Sequence, residues 1–267
     1  MFKKWLLALC VSGFALNVCA APDGSGSATA NAPANANATA VASATGSEAS
    51  VRKAILSLAP DATIASIQAS PIPGFYQVIT DGQLVYVSAD GKFLLNGDLI
   101  DVARKKNISN DGWASFRKAE LAKVPASDRI VFAPANPRYR VTVFTDVNCA
   151  YCRALHEHVA EFNKAGIALE YVAWPRDGVT NPAGRNTETY NEMVSVWCAS
   201  NRNAAFTAAK EGHMPKSATC ANPVKQQFDL GVKLGITGTP TIIASDGTML
   251  GGYITPEEML RLLSKGS

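Results

Sequence analysis

The sequence predicts two folded units joined by a helix: a small α+β unit over residues 48–108 and a larger α/β unit over residues 127–267 with helices inserted in its middle. Three observations carry that prediction. Strand-forming runs separated by Asp-Gly turns crowd residues 75–95. One helical pattern closed by Pro125 dominates residues 109–126. From Ile130 onward strands alternate with helices. A 267-residue chain that is 47% hydrophobic and 18% charged has apolar material for one or two cores, which excludes a disordered chain and a disulfide-dense miniature scaffold.

Ahead of the first unit, Lys3 and Lys4 precede an apolar run from Trp5 to Leu16 and then Val18-Cys19-Ala20. This is the charged, apolar, small-residue order of a cleaved secretory signal over residues 1–20. A lipidated Cys19 is the rival reading, and the bulky Val18 before it speaks against lipoprotein processing. Loss of Lys3 and Lys4 takes the formal charge from +3 to +1, a balance that calls for neither nucleic acid nor an anionic membrane. Residues 21–47 are almost wholly Ala, Asn, Ser, Gly, Thr and Pro, with Asp23 the one charge. Too little apolar bulk is available to offset ordering entropy, so the tract reads as a flexible low-complexity linker.

From Glu48, Val51, Ile55 and Leu58 recur at helical spacing until Pro60. Phe75 to Thr80 and Gln83 to Ser88 flank Asp81-Gly82, a dipeptide suited to a tight hairpin turn, and a second turn at Ala89 to Lys92 leads into Phe93-Leu94-Leu95. Asp111 to Val124 is helical, with Trp113, Phe116 and Leu121 on one stripe. It serves as the connector between the units or as the first helix of the second. In the second unit Ile130 to Ala133, Arg140 to Thr145 and Ile167 to Trp174 read as strands, with Cys149 to Ala165 a helix between the latter two. Thr187 to Ala209 and Asn222 to Leu234 are the inserted helical stretches. Thr241 to Ala244 and Met249 to Tyr253 form a hairpin around Asp246-Gly247, and Pro256 to Leu263 is the last helix.

Six cysteines are present, and Cys10 and Cys19 fall in the signal. Cys149, Cys152, Cys198 and Cys220 remain, an even count that suits two disulfides in an oxidising compartment, although four cysteines allow three pairings. Cys149 stands where a buried strand passes into an amphipathic helix carrying Tyr151, Leu155, Val159 and Phe162. A thiol at a helix N-terminus meets partial positive charge and free N–H groups, which favour the nucleophilic thiolate. Cys152 lies one turn further in, placed to break a mixed disulfide. Cys198 and Cys220 lack a Cys-X-X-Cys setting and read as a static bridge, with a second redox pair as the rival. A four-thiolate zinc site would want a second Cys-X-X-Cys knuckle, so no metal is expected. His156 and His158 are two apart on a helix, do not converge on a metal and read as surface residues; His213 has no supporting neighbours. Asp146 is a buried acid handling protons or a residue that caps the helix or settles the loop.

Thr145 to Glu157, containing Cys149-Ala150-Tyr151-Cys152, resembles the DsbC family of periplasmic disulfide isomerases, which also includes DsbG. Tyr86 to Lys92 before Gly97, and Gly235-Ile236-Thr237-Gly238-Thr239-Pro240, agree with the same family, so the resemblance runs from about Glu48 to Ser264. It implies a homodimer joined through the N-terminal unit, with a thioredoxin-like catalytic domain on each arm and substrate in the cleft between. It further implies a cis peptide at Pro240 and a structural Cys198–Cys220 disulfide. Tyr151, Thr239 and Pro240 are read as substrate contacts. Implied partners are misfolded disulfide-containing exported proteins and a membrane reductant of the DsbD type, in the periplasm and without a cofactor. Two positions depart from the family: Ala150 where Gly is common and Arg153 where His is common. Arg153 is expected to favour the Cys149 thiolate and a more oxidising pair. Isomerisation is the leading function; a DsbG-like reductase of oxidised cysteines and a dimeric holdase chaperone are the alternatives.

Overall fold

The computed structural model describes the backbone of residues 36–265 and side chains from residue 47 onward. The expected signal at residues 1–20 and the first part of the low-complexity tract lie outside the described residues. Helix α1 spans Ala36–Leu58, so it starts well ahead of Glu48 and takes in residues assigned from composition to the flexible linker. The tract lacks apolar bulk, but it is rich in Ala, the strongest helix former.

Strands β1 (Ile64–Ala69), β2 (Phe75–Thr80), β3 (Gln83–Ser88) and β4 (Leu94–Asn96) form an antiparallel sheet in the order β1-β2-β3-β4. Asp81 (φ 47°) and Gly82 (φ 71°) both take the left-handed conformation that a two-residue hairpin turn needs. Side chains alternate across the sheet. Val78, Val85 and Val87 face Val51 and Ile55 of α1 in one core, and Ile79, Leu84 and Tyr86 point into another. Each fully buried Val or Ile contributes about 2 kcal/mol.

A two-stranded ribbon, β5 (Ile100–Asp101) with β6 (Lys106–Asn107), precedes α2 (Ile108–Leu121). This helix starts ahead of Asp111 because Asn107 caps it, accepting from the Asn110 N–H at 3.3 Å. It touches both units. Gly112 lies against the Gln77 side chain, and Arg117 Nε donates to the Leu234 carbonyl at 3.1 Å. Phe116 and Leu121 join Ile79 and Tyr86 with Phe144, Trp174 and Ile243 in a core shared by the two units.

The second unit is a five-stranded sheet, β11-β10-β8-β9-β7, from β7 (Ile130–Phe132), β8 (Tyr139–Thr145), β9 (Ile167–Ala173), β10 (Thr241–Ala244) and β11 (Met249–Gly251). Only β8 and β9 run parallel, and the crossover between them is helical. The single helix expected over Cys149 to Ala165 is two, α3 (Ala150–Glu157) and α4 (Val159–Lys164), separated at His158. Between β9 and β10 stand α5 (Glu188–Trp197), α6 (Arg202–Lys210) and α7 (Val224–Lys233), and α8 (Pro256–Lys265) ends the described chain. The insertion is pinned to the sheet: Gln227 accepts from the Ala173 N–H at 2.7 Å and donates to the Asp128 carbonyl at 2.7 Å. This is the small α+β unit, connecting helix and thioredoxin-like α/β domain with inserted helices that the resemblance implies.

Candidate active site

Strand β8 buries Val141, Val143 and Phe144 and delivers the chain to Thr145 and Asp146, both buried. Asp146 settles the loop. Its carboxylate accepts from the Asn148 N–H at 2.7 Å, the Arg176 N–H at 2.8 Å and Arg176 Nε at 3.3 Å. The next turn ends at Cys149, the N-cap of α3, in extended conformation (φ −80°, ψ 121°) and with no side-chain cap of its own. Its sulfur therefore sits at the positive end of the helix, with the Cys152 N–H directed to it.

From the other side comes the loop before β10, where the Thr239–Pro240 peptide is cis. As a thiol, Cys149 donates to the Thr239 carbonyl at 3.1 Å. The Thr239 hydroxyl, buried and otherwise without a partner, is available to the sulfur once the proton has left. Sequence positions far apart thus come together: the cis Thr239–Pro240 peptide lies against Cys149, Cys152 stands one turn along α3, and Tyr151 of the same helix is 67% exposed.

The two thiols differ. A hydrogen bond from the Cys152 thiol, aided by the Thr239 side chain, the Cys152 N–H and the charge of Arg176, brings Cys149 down to about 5 against the upward pull of burial. Cys152, 1% exposed, is pushed up by that burial and by donating to Cys149. Lys210, the Asp146 N–H and the Thr145 hydroxyl oppose the rise.

Two cations around the pair escape sequence reasoning. Arg176 follows β9 and is held by Asp146, and Lys210 ends α6 inside the protein. Arg153, expected to favour the thiolate, instead donates through Nε to the Val147 carbonyl at 3.0 Å and through its guanidinium to Asn148 Oδ1 at 3.3 Å. Arg176 adds its charge to the groups that lower Cys149. His156, expected at the surface, is buried beside Cys152 and Leu155 on the inner face of α3. Its ring nitrogens meet Tyr171 Oη at 3.1 Å and Thr207 Oγ1 at 2.9 Å, and burial holds it down to about 4. His158 is partly exposed as expected and paired with Glu161, and His213 is exposed.

Cys198 and Cys220 are disulfide-bonded, with Cα atoms 5.7 Å apart, which removes both from the rival four-thiolate zinc site. Cys149 and Cys152 are free thiols. Among the described residues no group of three His, Cys, Asp or Glu is arranged to hold a metal ion.

Residues 36–110 match the family model described as the disulfide bond isomerase protein N-terminal domain, and residues 127–267 match that of a thioredoxin-like domain. The thiol:disulfide interchange protein DsbC of Dickeya dadantii is 36% identical over 199 residues, covering 74% of this chain and 80% of that protein. The DsbC of Salmonella typhimurium is 34% identical over 226 residues, covering 83% of this chain and 89% of its own. A crystal structure of a disulfide interchange protein from Neisseria gonorrhoeae aligns over 52% of this chain and 97% of that one, at 25% identity and a TM-score of 0.44. An N-cap cysteine with a lowered pKa is suited to thiol exchange, and with relatives matching at this identity over most of the chain it belongs to the DsbC family of thiol:disulfide interchange proteins.

Proposed function

We propose that the protein is an exported disulfide isomerase and reductase of the periplasm, rearranging wrong disulfides in other exported proteins. The observation that carries this reading is the inequality of the pair: an acidified Cys149 at a helix N-terminus and a buried, protonated Cys152 behind it. The Cys149 thiolate attacks one sulfur of a substrate disulfide, forming a mixed disulfide and expelling the other sulfur as thiolate. A second substrate thiolate then displaces Cys149, leaving a rearranged substrate and a reduced enzyme. Alternatively Cys152 displaces the substrate sulfur, so that Cys149–Cys152 is oxidised and the substrate reduced by the same two electrons. A membrane reductant of the DsbD type would return the oxidised pair to dithiol.

Tyr151, Thr239 and Pro240 are assigned to substrate contact, on the exposure of Tyr151 and the closeness of the Thr239 carbonyl to Cys149. The assigned organisation is signal 1–20, linker 21–47, dimerisation unit 48–108, linker helix 109–126 and catalytic domain 127–267, with the packed helix of the first unit extending back into the linker. A homodimer is supported by the edge strand β4, which among the described residues is unpaired on its outer side, with Leu94 and Leu95 exposed on it and Phe93 exposed just before it.

Refolding of a scrambled multi-disulfide protein in glutathione buffer tests the reading. The signal-less chain should restore activity to the scrambled protein and Cys149→Ala should not. Equal recovery with both would remove Cys149 from the reaction and leave a holdase role.

A further inference from the structure

Behind the redox pair lies a cation that none of these steps uses. Lys210 is 5% exposed. Its Nζ donates to Thr145 Oγ1 at 2.7 Å and to the Asp146 carbonyl at 2.8 Å, and lies 4.9 Å from the Phe206 ring centroid. The Asp146 carboxylate is engaged by Arg176 instead, and among the described residues Lys210 forms no ion pair. Burying a lysine without a counter-ion opposes folding, so its place directly behind Cys152 calls for an account. The Thr145 hydroxyl, fully buried, accepts from Lys210 and lies where it favours the thiolate of Cys152. Sulfur, hydroxyl and amine therefore form a chain closed to water.

We propose that Lys210, acting through the Thr145 hydroxyl, is the proton acceptor that turns Cys152 into a thiolate when it resolves the mixed disulfide. The proposal rests on the assignment of Cys152 as resolving cysteine made above. With Lys210 neutral, the Cys152 thiol passes its proton to Thr145 Oγ1 while the Thr145 proton passes to Nζ. One proton leaves sulfur, one arrives on nitrogen, and the hydroxyl is regenerated. The new ammonium donates to Thr145 Oγ1, Thr145 donates to the Cys152 sulfur, and the thiolate attacks Cys149. The Cys149–Cys152 bond forms, the bond from Cys149 to substrate breaks, and the substrate leaves as thiolate.

The surroundings leave this titration to Lys210. Burial brings it down to about 8, against the pull of Cys152, Asp146 and Cys149, and half-buried Arg153 pushes the same way as burial. His156, on α3, stays neutral because burial holds it near 4, and Tyr171, on β9, stays neutral because burial holds it well above its ordinary value. Arg176 remains cationic, raised by Asp146 and by both cysteines. Lys210 is thus a positioning residue for the proton: it reaches the reacting sulfurs only through Thr145.

The test mixes the reduced, signal-less chain with excess peptide disulfide and follows formation and decay of the mixed disulfide by acid quench and mass spectrometry, across about pH 6 to 9.5. Wild-type decay should rise with pH through an inflection near that of Lys210, about 8. Lys210→Met, which keeps length without charge, and Thr145→Val, which keeps shape without the hydroxyl, should each slow decay at least about tenfold and remove the inflection. Wild-type rates and profile in both variants would overturn the relay. Slow decay in Lys210→Met with normal decay in Thr145→Val would also overturn it, since the lysine would then act by its field. If Lys210→Met fails to fold, Thr145→Val alone decides. A wild-type chain that forms no mixed disulfide, or never releases it, would sink the Cys149 and Cys152 assignment and the relay together.

Discussion

Arg176 acts on Cys149 from the loop of a neighbouring strand, through a position that Asp146 fixes by accepting from both its N–H and its Nε. A cation near a thiol stabilises the thiolate and lowers the pKa, so removing it must raise the pKa. Arg176→Gln should move Cys149 upward from about 5, and alkylation by iodoacetamide at a pH below that value should slow by about threefold, the effect of one partly screened charge. Thiolate absorbance against pH checks the direction, and an unmoved titration would leave the Cys152 hydrogen bond and helix N-terminus to account for the acidity. Linkage has the same sign. The folded pKa lies below the ordinary value of 9.0, so the thiolate stabilises the reduced fold fully above about 9 and this support is gone below about 5. The reactive pair itself was legible in the sequence because its partners are three residues apart at a strand-to-helix junction. Arg176 and Lys210 were not legible: β9 lying beside β8 places one, and the fold of the insertion places the other. His156 was misread for a related reason, since the inner face of α3 runs through Cys152, Leu155 and His156 while apolar Tyr151 points to solvent.

Helix α5 links the two cysteine pairs. Near its start, Thr189 and Glu192 receive the Asn148 side-chain amide beside Cys149, at 3.5 Å and 2.5 Å. At its end, Trp197 donates to the Asp128 carbonyl at 3.0 Å and Cys198 is bonded to Cys220 across 22 positions. Closing a loop of that length removes entropy from the unfolded chain, so a Cys198→Ala, Cys220→Ala double variant should lose on the order of 3 kcal/mol, read from its urea midpoint. Free Cys149 and Cys152 should persist by thiol count, and a midpoint equal to wild type would show that the insertion is held by its packing and hydrogen bonds alone. Most elements were legible from pattern: the Asp81-Gly82 hairpin from its turn residues, β8 from its apolar run, and α2 from its stripe. Boundaries were less so. No Gly or Pro marks the break between α3 and α4 at His158, and two-residue strands such as β5 and β6 are too short to show a period.

The N-terminal sheet is covered on one face by α1 and on the other by α2 and the catalytic domain, which among the described residues leaves its edges open to a partner. Because Ile79, Leu84 and Tyr86 share a core with Phe144, Trp174 and Ile243, the sheet carries its catalytic domain as one packed body. Whatever pairs two sheets therefore also sets how two redox sites face each other. On β4 the exposed Leu94 and Leu95 follow Phe93, 64% exposed, an apolar edge that a soluble chain would ordinarily protect. Pairing with the same edge of a second copy would cover both and close the assembly by two-fold symmetry. Leu94→Asp combined with Leu95→Lys should convert a dimer to a monomer in sedimentation, with little effect on the fold of each chain because both side chains are already exposed. The variant should alkylate at Cys149 at the wild-type rate yet lose most of its ability to recover a scrambled substrate, if the chemistry belongs to one chain while substrate is held between two. A variant that stays dimeric would move the interface away from β4, and a monomer that still recovers scrambled substrate fully would show that one redox face suffices.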